Sequence, residues 1–82
     1  MKVHVKVFPI AGLSNKRQEF EVSLEEGSMS CLETHLEERL GVTPRNVKSL
    51  MFLHNGRGLD NRENAVFRDG DLLWLLPQIS GG

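Results

Sequence analysis

Residues 2–7, Lys-Val-His-Val-Lys-Val, alternate polar and apolar side chains, so Val3, Val5 and Val7 share one face and Lys2, His4 and Lys6 the other. That period of two predicts a half-buried β-strand, which Pro9 ends or edges because proline has no N–H for the ladder. After a connection carrying Gly12, Ser14 and Asn15, the run Glu19-Phe20-Glu21-Val22-Ser23-Leu24 repeats the alternation with Phe20, Val22 and Leu24 inward. Two such runs joined by turn-forming residues predict a β-hairpin. The period then lengthens. Met29, Leu32, Leu36 and Leu40 recur at steps of three and four, an apolar stripe along about three turns of helix. Ser28 or Ser30 can cap its start, the latter in a capping box with Glu33, while Gly41 suits the position past its end and Pro44 blocks continuation.

Residues 47–53, Val-Lys-Ser-Leu-Met-Phe-Leu, predict a third strand, and Asn55-Gly56 favours a tight turn into a short fourth strand around Gly58 and Leu59. Residues 60–64 read as a polar loop, Val66 and Phe67 bring apolar surface back, and Asp69-Gly70-Asp71 marks a turn before Leu72-Leu73-Trp74-Leu75-Leu76. Five consecutive apolar side chains predict a strand buried on both faces. Such a strand belongs at the centre of the sheet, beside the first. The expected fold class is α+β, a mixed β-sheet packed on one main helix, with elements in the order β, β, α, β, short β, β. Residues 1–76 form this domain and residues 77–82 an extended C-terminal tail.

With 82 residues there is room for one domain and one modest core. Ten basic and 11 acidic residues leave a net charge of -1, which offers no overall attraction to nucleic acid or an anionic membrane. The single cysteine, Cys31, has no partner for an internal disulfide, no leader-like segment precedes the first strand, and no apolar run approaches a membrane span. A soluble, cytoplasmic protein is expected, with neither nucleic-acid nor membrane partners.

No side-chain active site is evident. His4, His35 and His54 fall on three different elements without HxH or HxxxH spacing, so no metal site is expected. Cys31, beside Leu32, reads as a small buried filler rather than a catalytic thiol. Gly56-Arg57-Gly58 lacks the context of a phosphate loop, and Arg57, Arg62 and Arg68 read as solvated surface more readily than as contacts to acidic groups or ATP phosphates. Attention therefore passes to Pro77-Gln78-Ile79-Ser80-Gly81-Gly82. At about 3.3–3.6 Å per residue this segment reaches roughly 20 Å beyond the sheet, far enough to enter another protein's active site. Gly81 and Gly82 have no side chains to obstruct a narrow channel. A terminal carboxylate, with a pKa of about 3.5, is ionised and a poor electrophile, so it requires activation, most simply adenylation by a separate ATP-using enzyme.

The order of elements, the His54-Asn55-Gly56-Arg57-Gly58-Leu59-Asp60 segment and the run from Asp69-Gly70-Asp71 through the last strand to Pro77 and Gly81-Gly82 resemble the ubiquitin-like sulfur carriers. In length and ending the chain is most similar to the small subunit of molybdopterin synthase, with Gln78 where that tail usually has a second proline. The resemblance implies a β-grasp (ubiquitin-like) fold. It implies that Gly82 is the site of adenylation and thiocarboxylate formation, and that Ile79, Ser80, Gly81 and Gly82 enter a partner's channel. It also implies an apolar partner interface at Phe8, Leu59, Leu76 and Pro77. No cofactor is expected to be bound, ATP being used by the activating enzyme. The implied partners are that adenylating enzyme, a sulfurtransferase and the large synthase subunit, in a heterotetramer that builds the molybdenum or tungsten cofactor. The chain itself would be a non-catalytic subunit or co-substrate. Sulfur delivery for thiamine or another metabolite, or conjugation to target proteins through Gly82, uses the same tail and stays open.

Overall fold

The computed structural model describes residues 1–10, 16–59 and 61–77. The hairpin connection with Gly12, Ser14 and Asn15, Asp60, and residues 78–82 with Gln78, Ile79, Ser80, Gly81 and Gly82 lie outside the described residues. The described elements are β1 (Lys2–Val7), β2 (Gln18–Ser23), α1 (Met29–Leu40), α2 (Pro44–Lys48), β3 (Met51–His54), β4 (Arg57–Gly58), a 3₁₀ turn (Arg62–Asn64) and β5 (Leu72–Leu76).

The strands form one mixed sheet in the order β2-β1-β5-β3-β4. β1 pairs antiparallel with β2 and parallel with β5, and β5 pairs antiparallel with β3. The last strand in sequence is thus the central strand in space, beside the first. Val3, Val5, Val7, Phe20, Val22, Leu73, Leu75 and Phe52 from the sheet meet Met29, Leu32 and Leu36 from α1 in a single buried cluster. This is the ubiquitin-like β-grasp arrangement. Among the described residues no helix is long and apolar enough to cross a membrane.

Ser28 is the N-cap of α1, its hydroxyl accepting from the Cys31 N–H at 3.3 Å, which leaves Ser30 inside the helix rather than in a capping box. Gly41 ends α1 in the left-handed region at φ 67°. Pro44 does more than stop a helix. With Thr43 as N-cap it starts α2, since a missing N–H is harmless in a first turn. Residues 47–53 are consequently not one strand. Val47 is a fully buried residue of α2, Leu50 lies in the turn, and β3 begins only at Met51. Arg62 fastens this connection, donating through Nη1 to the Lys48 carbonyl at 3.0 Å and through Nη2 to that of Leu50. Its guanidinium also lies 4.2 Å from the centroid of the Phe52 ring. Burial draws its pKa below the usual arginine value, against the pull of Glu33. Arg62 is therefore a structural clamp.

The expectation that β5 is buried on both faces is overturned. Leu73 and Leu75 are fully buried, but Leu72 is 47% and Trp74 39% exposed. The helical layer covers only one face of the sheet, and alternate β5 side chains point to the other.

The entry to β5 is held by polar contacts. Asn55 and Gly56 have φ 52° and 85°, the pair of positive values a type I′ turn requires. Asn55 donates through its backbone N–H to the Leu72 carbonyl at 2.8 Å, and its Oδ1 accepts from the Leu72 N–H at 2.7 Å. The Asp71 carboxylate lies 2.7 Å from His54 Nε2 and accepts from the Arg68 N–H at 2.8 Å and from Asn55 Nδ2 at 3.2 Å. Desolvation alone would raise the Asp71 pKa, but the hydrogen bonds from His54, Arg68 and Asn55 outweigh it and lower the value. A carboxyl depressed in the folded state stabilises above its unfolded pKa of about 3.9, and this contribution disappears as pH falls through the lower folded value. Denaturant titrations from about pH 7 to pH 3 should show that loss. Asp71→Asn should shrink this acid dependence and cost about 1 kcal/mol near pH 7, a figure kept small by solvent screening.

Gly27 sets a second constraint. Its carbonyl accepts from the Phe67 N–H at 2.8 Å, and a β-carbon on Gly27 would collide with the Phe67 carbonyl oxygen. Backbone cannot rotate away as a side chain can. Gly27→Ala is expected to destabilise the domain by about 1–3 kcal/mol, read from the denaturation midpoint.

Candidate functional site

Register decides what the uncovered side of the sheet displays. Lys6 pairs with Trp74 and Trp74 with Leu53, while Leu76 pairs with Met51, so these side chains project from the face opposite α1. Leu72 and Trp74 share that face because residues two apart on a strand point the same way. Met51 is 40% exposed, and Leu53 and Leu76 are half-buried. Phe8, just past β1, donates its N–H to the Leu75 carbonyl at 3.0 Å, prolonging the parallel ladder beyond Val7. Its ring meets that of Trp74 at 5.4 Å between centroids, tilted by 57°. The Lys6 ammonium lies 5.4 Å from both ring centroids and 3.6 Å from a Glu19 carboxylate oxygen.

The result is an apolar surface of Phe8, Met51, Leu53, Leu72, Trp74 and Leu76 bordered by Lys6 and Glu19. Exposed apolar side chains gathered on one face are characteristic of protein-binding surfaces. Pro77, exposed, stands directly beyond Leu76, so the chain leaves the sheet at the edge of this surface.

Of the residues expected at a partner interface, Phe8, Leu76 and Pro77 are brought to this region. Leu59 lies elsewhere. Its N–H donates to the Phe52 carbonyl at 3.2 Å, and its half-buried side chain packs against the core and borders a depression shared with Met29, Lys48 and Arg62. Ile79, Ser80, Gly81 and Gly82 are outside the described residues. Leu72 and Trp74 of β5, with Met51 and Leu53 of β3, are missed by the sequence reading, because a continuous apolar run predicts burial on both faces of a strand. The signal that reveals them is architectural, for one main helix in a two-layer fold leaves the second face of the sheet open.

The scattered histidines have distinct settings. His4 lies 3.6 Å from Glu19, His54 pairs with Asp71 and meets the Phe67 ring at 4.7 Å between centroids, tilted by 49°, and His35 lies 3.2 Å from Glu25. Cys31 is half-buried rather than a buried filler, and its Sγ donates to Glu25 Oε2 at 3.2 Å. The hydrogen bonds from Cys31 and then His35 hold the exposed Glu25 carboxyl at a pKa of about 2. A search for histidine pairs misses this grouping, since the relevant spacing is cysteine to histidine, four residues apart on α1.

Trp74 is the sole tryptophan, so its fluorescence reports on the open face directly. Acrylamide should quench it readily in the folded protein. Trp74→Ala, which removes the contact with Phe8, should cost about 0.5–1.5 kcal/mol while the helical circular-dichroism signal is retained.

No protein-family model and no curated protein matches the chain. Solved structures do. A chain from the complex of subunits 1 and 2 of molybdopterin-converting factor from Helicobacter pylori is 26% identical, with TM-score 0.69 and 100% of each chain covered. SAMP1 from Haloferax volcanii is 20% identical with TM-score 0.73, again over 100% of both chains. A ubiquitin-like protein from Trypanosoma brucei is 16% identical with TM-score 0.54, covering 95% of this chain and 96% of that one. These likenesses identify the fold as ubiquitin-like, and the chain is similar to ubiquitin-like proteins of the molybdopterin-converting-factor kind.

Proposed function

We propose that this ubiquitin-like β-grasp chain, 26% identical over its length to a molybdopterin-converting-factor chain, is a sulfur carrier whose working group is the carboxylate of Gly82. The observation that supports this reading best is the exit of the chain from β5. The central strand delivers Leu76 and Pro77 to the rim of the Phe8–Trp74 apolar face, and Gln78-Ile79-Ser80-Gly81-Gly82 follows in sequence. A partner docked on that face would be adjacent to the start of the glycine-ended segment.

The chemistry takes two steps outside the chain. Attack of the Gly82 carboxylate on the α-phosphate of ATP, in an activating enzyme, expels pyrophosphate and forms an acyl-adenylate. A sulfide-level donor, supplied through a sulfurtransferase, then displaces AMP and leaves a thiocarboxylate. In the large subunit of a molybdopterin synthase that sulfur would pass to a pterin precursor to build the dithiolene. The small domain contributes no catalytic side chain. Its roles are to present Gly82, with Gly81, Ser80 and Ile79 filling the channel, and to dock through the apolar face.

Incubation with the activating enzyme, ATP and a sulfur source should shift the intact mass by the exchange of one oxygen for one sulfur, localised to Gly82 by fragmentation. Deletion of Gly82 should abolish the shift. Adenylation without sulfur transfer, accompanied by Gly-Gly remnants on lysines of other proteins, would instead establish conjugation as the function. Thiocarboxylate formation with sulfur passed to a thiazole rather than a pterin would place the same carrier in thiamine synthesis.

A further inference from the structure

Cys31 and His35 are four residues apart on α1 and therefore stand on one face of the helix, one turn from each other. Glu25, in the connection between β2 and α1, meets them there. Its Oε2 accepts the Cys31 thiol at 3.2 Å and lies 3.2 Å from His35 Nε2. The three donor atoms all fall within 4.8 Å of one another, and among the described residues no other group of histidine, cysteine and carboxylate side chains converges in this way. Cys31 and His35 are half-buried while the Glu25 side chain is 75% exposed, which leaves the cluster open to solvent.

We propose that Glu25, Cys31 and His35 are a three-ligand binding site for a thiophilic divalent transition-metal ion of the zinc type, with the fourth coordination position open. The donor set selects the metal. Thiolate and imidazole favour zinc and its late first-row neighbours, whereas calcium and magnesium require oxygen ligands throughout. Zinc bonds of about 2.3 Å to sulfur, 2.0–2.1 Å to nitrogen and 2.0–2.2 Å to oxygen place tetrahedral donors about 3.3–3.7 Å apart. The two 3.2 Å separations need a slight opening to reach that spacing, and the Cys31 and His35 donor atoms, within 4.8 Å of each other, reach it by side-chain rotation. Glu25 lies outside the regular elements, so it can yield while the helix fixes the backbone positions of Cys31 and His35.

Coordination replaces the two hydrogen bonds that now converge on Glu25 Oε2. The Cys31 thiol gives its proton to solvent and binds as thiolate, His35 binds through the Nε2 lone pair with its proton on Nδ1, and Glu25 binds as carboxylate. Two anionic ligands balance the dication, and no redox change is involved. The open position would accept water or one donor from a partner protein. The site belongs to the helical layer, across the sheet from the Phe8–Trp74 face, so it does not depend on sulfur carriage by Gly82.

Titration of the full chain with zinc, followed by native mass spectrometry and equilibrium dialysis, should give one ion per chain at micromolar metal. Cobalt(II) should produce a thiolate-to-metal charge-transfer band together with the intense visible bands of tetrahedral coordination. Cys31→Ser should remove the charge-transfer band, and Cys31→Ser and His35→Ala should each weaken zinc at least about tenfold. None of the three positions is fully buried, and unchanged circular dichroism would show that the variants fold. Binding equally strong in both variants, octahedral cobalt without the thiolate band, or no uptake at millimolar zinc would each overturn the site.

Discussion

The parallel pairing of β1 with β5 is the interaction on which the rest of the structure depends. It joins the two ends of the chain, placing His4 against Leu72 and Val7 against Leu75. Every other strand is then arranged around that pair, β2 outside β1 and β3 with β4 outside β5. Parallel strands need a long crossover, and nearly all of the chain between β2 and β5, including both helices, supplies it. The final strand is consequently hydrogen-bonded on both edges, to β1 and to β3. Whatever follows Pro77 is carried on the most deeply supported strand of the sheet.

The same topology creates the apolar surface. A sheet of five strands with its helices on one side has a buried face and an open face, and a central strand contributes to both. Leu73 and Leu75 serve the core, whereas Leu72 and Trp74 stand outside it. Leaving tryptophan and leucine in contact with water is unfavourable for an isolated domain. A partner that covers them converts this into binding free energy. In the proposed role, recognition on this face would lie beside the point where the chain leaves β5, so docking and delivery would draw on one strand.

The helical layer carries a separate set of groups. The apolar stripe of α1 faces the sheet, and its flank carries Cys31 and His35 toward Glu25. On the opposite side of that layer's connection, Arg62 uses its guanidinium to hold the Lys48 and Leu50 carbonyls after α2. Sequence context alone assigns Arg62 to solvent and Cys31 to the interior, and in neither case does it indicate the grouping that forms. Their partners lie 6 to 14 positions away along the chain, too far for a local pattern to register.

Much was legible in the amino-acid sequence by itself. The alternating valines of β1, the Phe20-Val22-Leu24 series, the 29-32-36-40 stripe and the Asn55-Gly56 turn each state their conformation through local sterics and period, and all four are as expected. So is the position of the last strand beside the first, whereas the glycine-ended tail that directs attention to Gly82 lies outside the described residues. The sequence was less explicit where one signal has two structural uses. Pro44 stops one helix and starts another, and only the burial of Val47 against the core tells which strand boundary follows. The tertiary structure alone decided that the apolar run of β5 is half open, that Leu59 lies away from Phe8, and that Glu25, Cys31 and His35 meet. The physical reason is the same in each case. Period and propensity record how a segment relates to its own neighbours, whereas the number of layers covering a sheet, and which loop reaches which helix, depend on how the whole chain closes on itself.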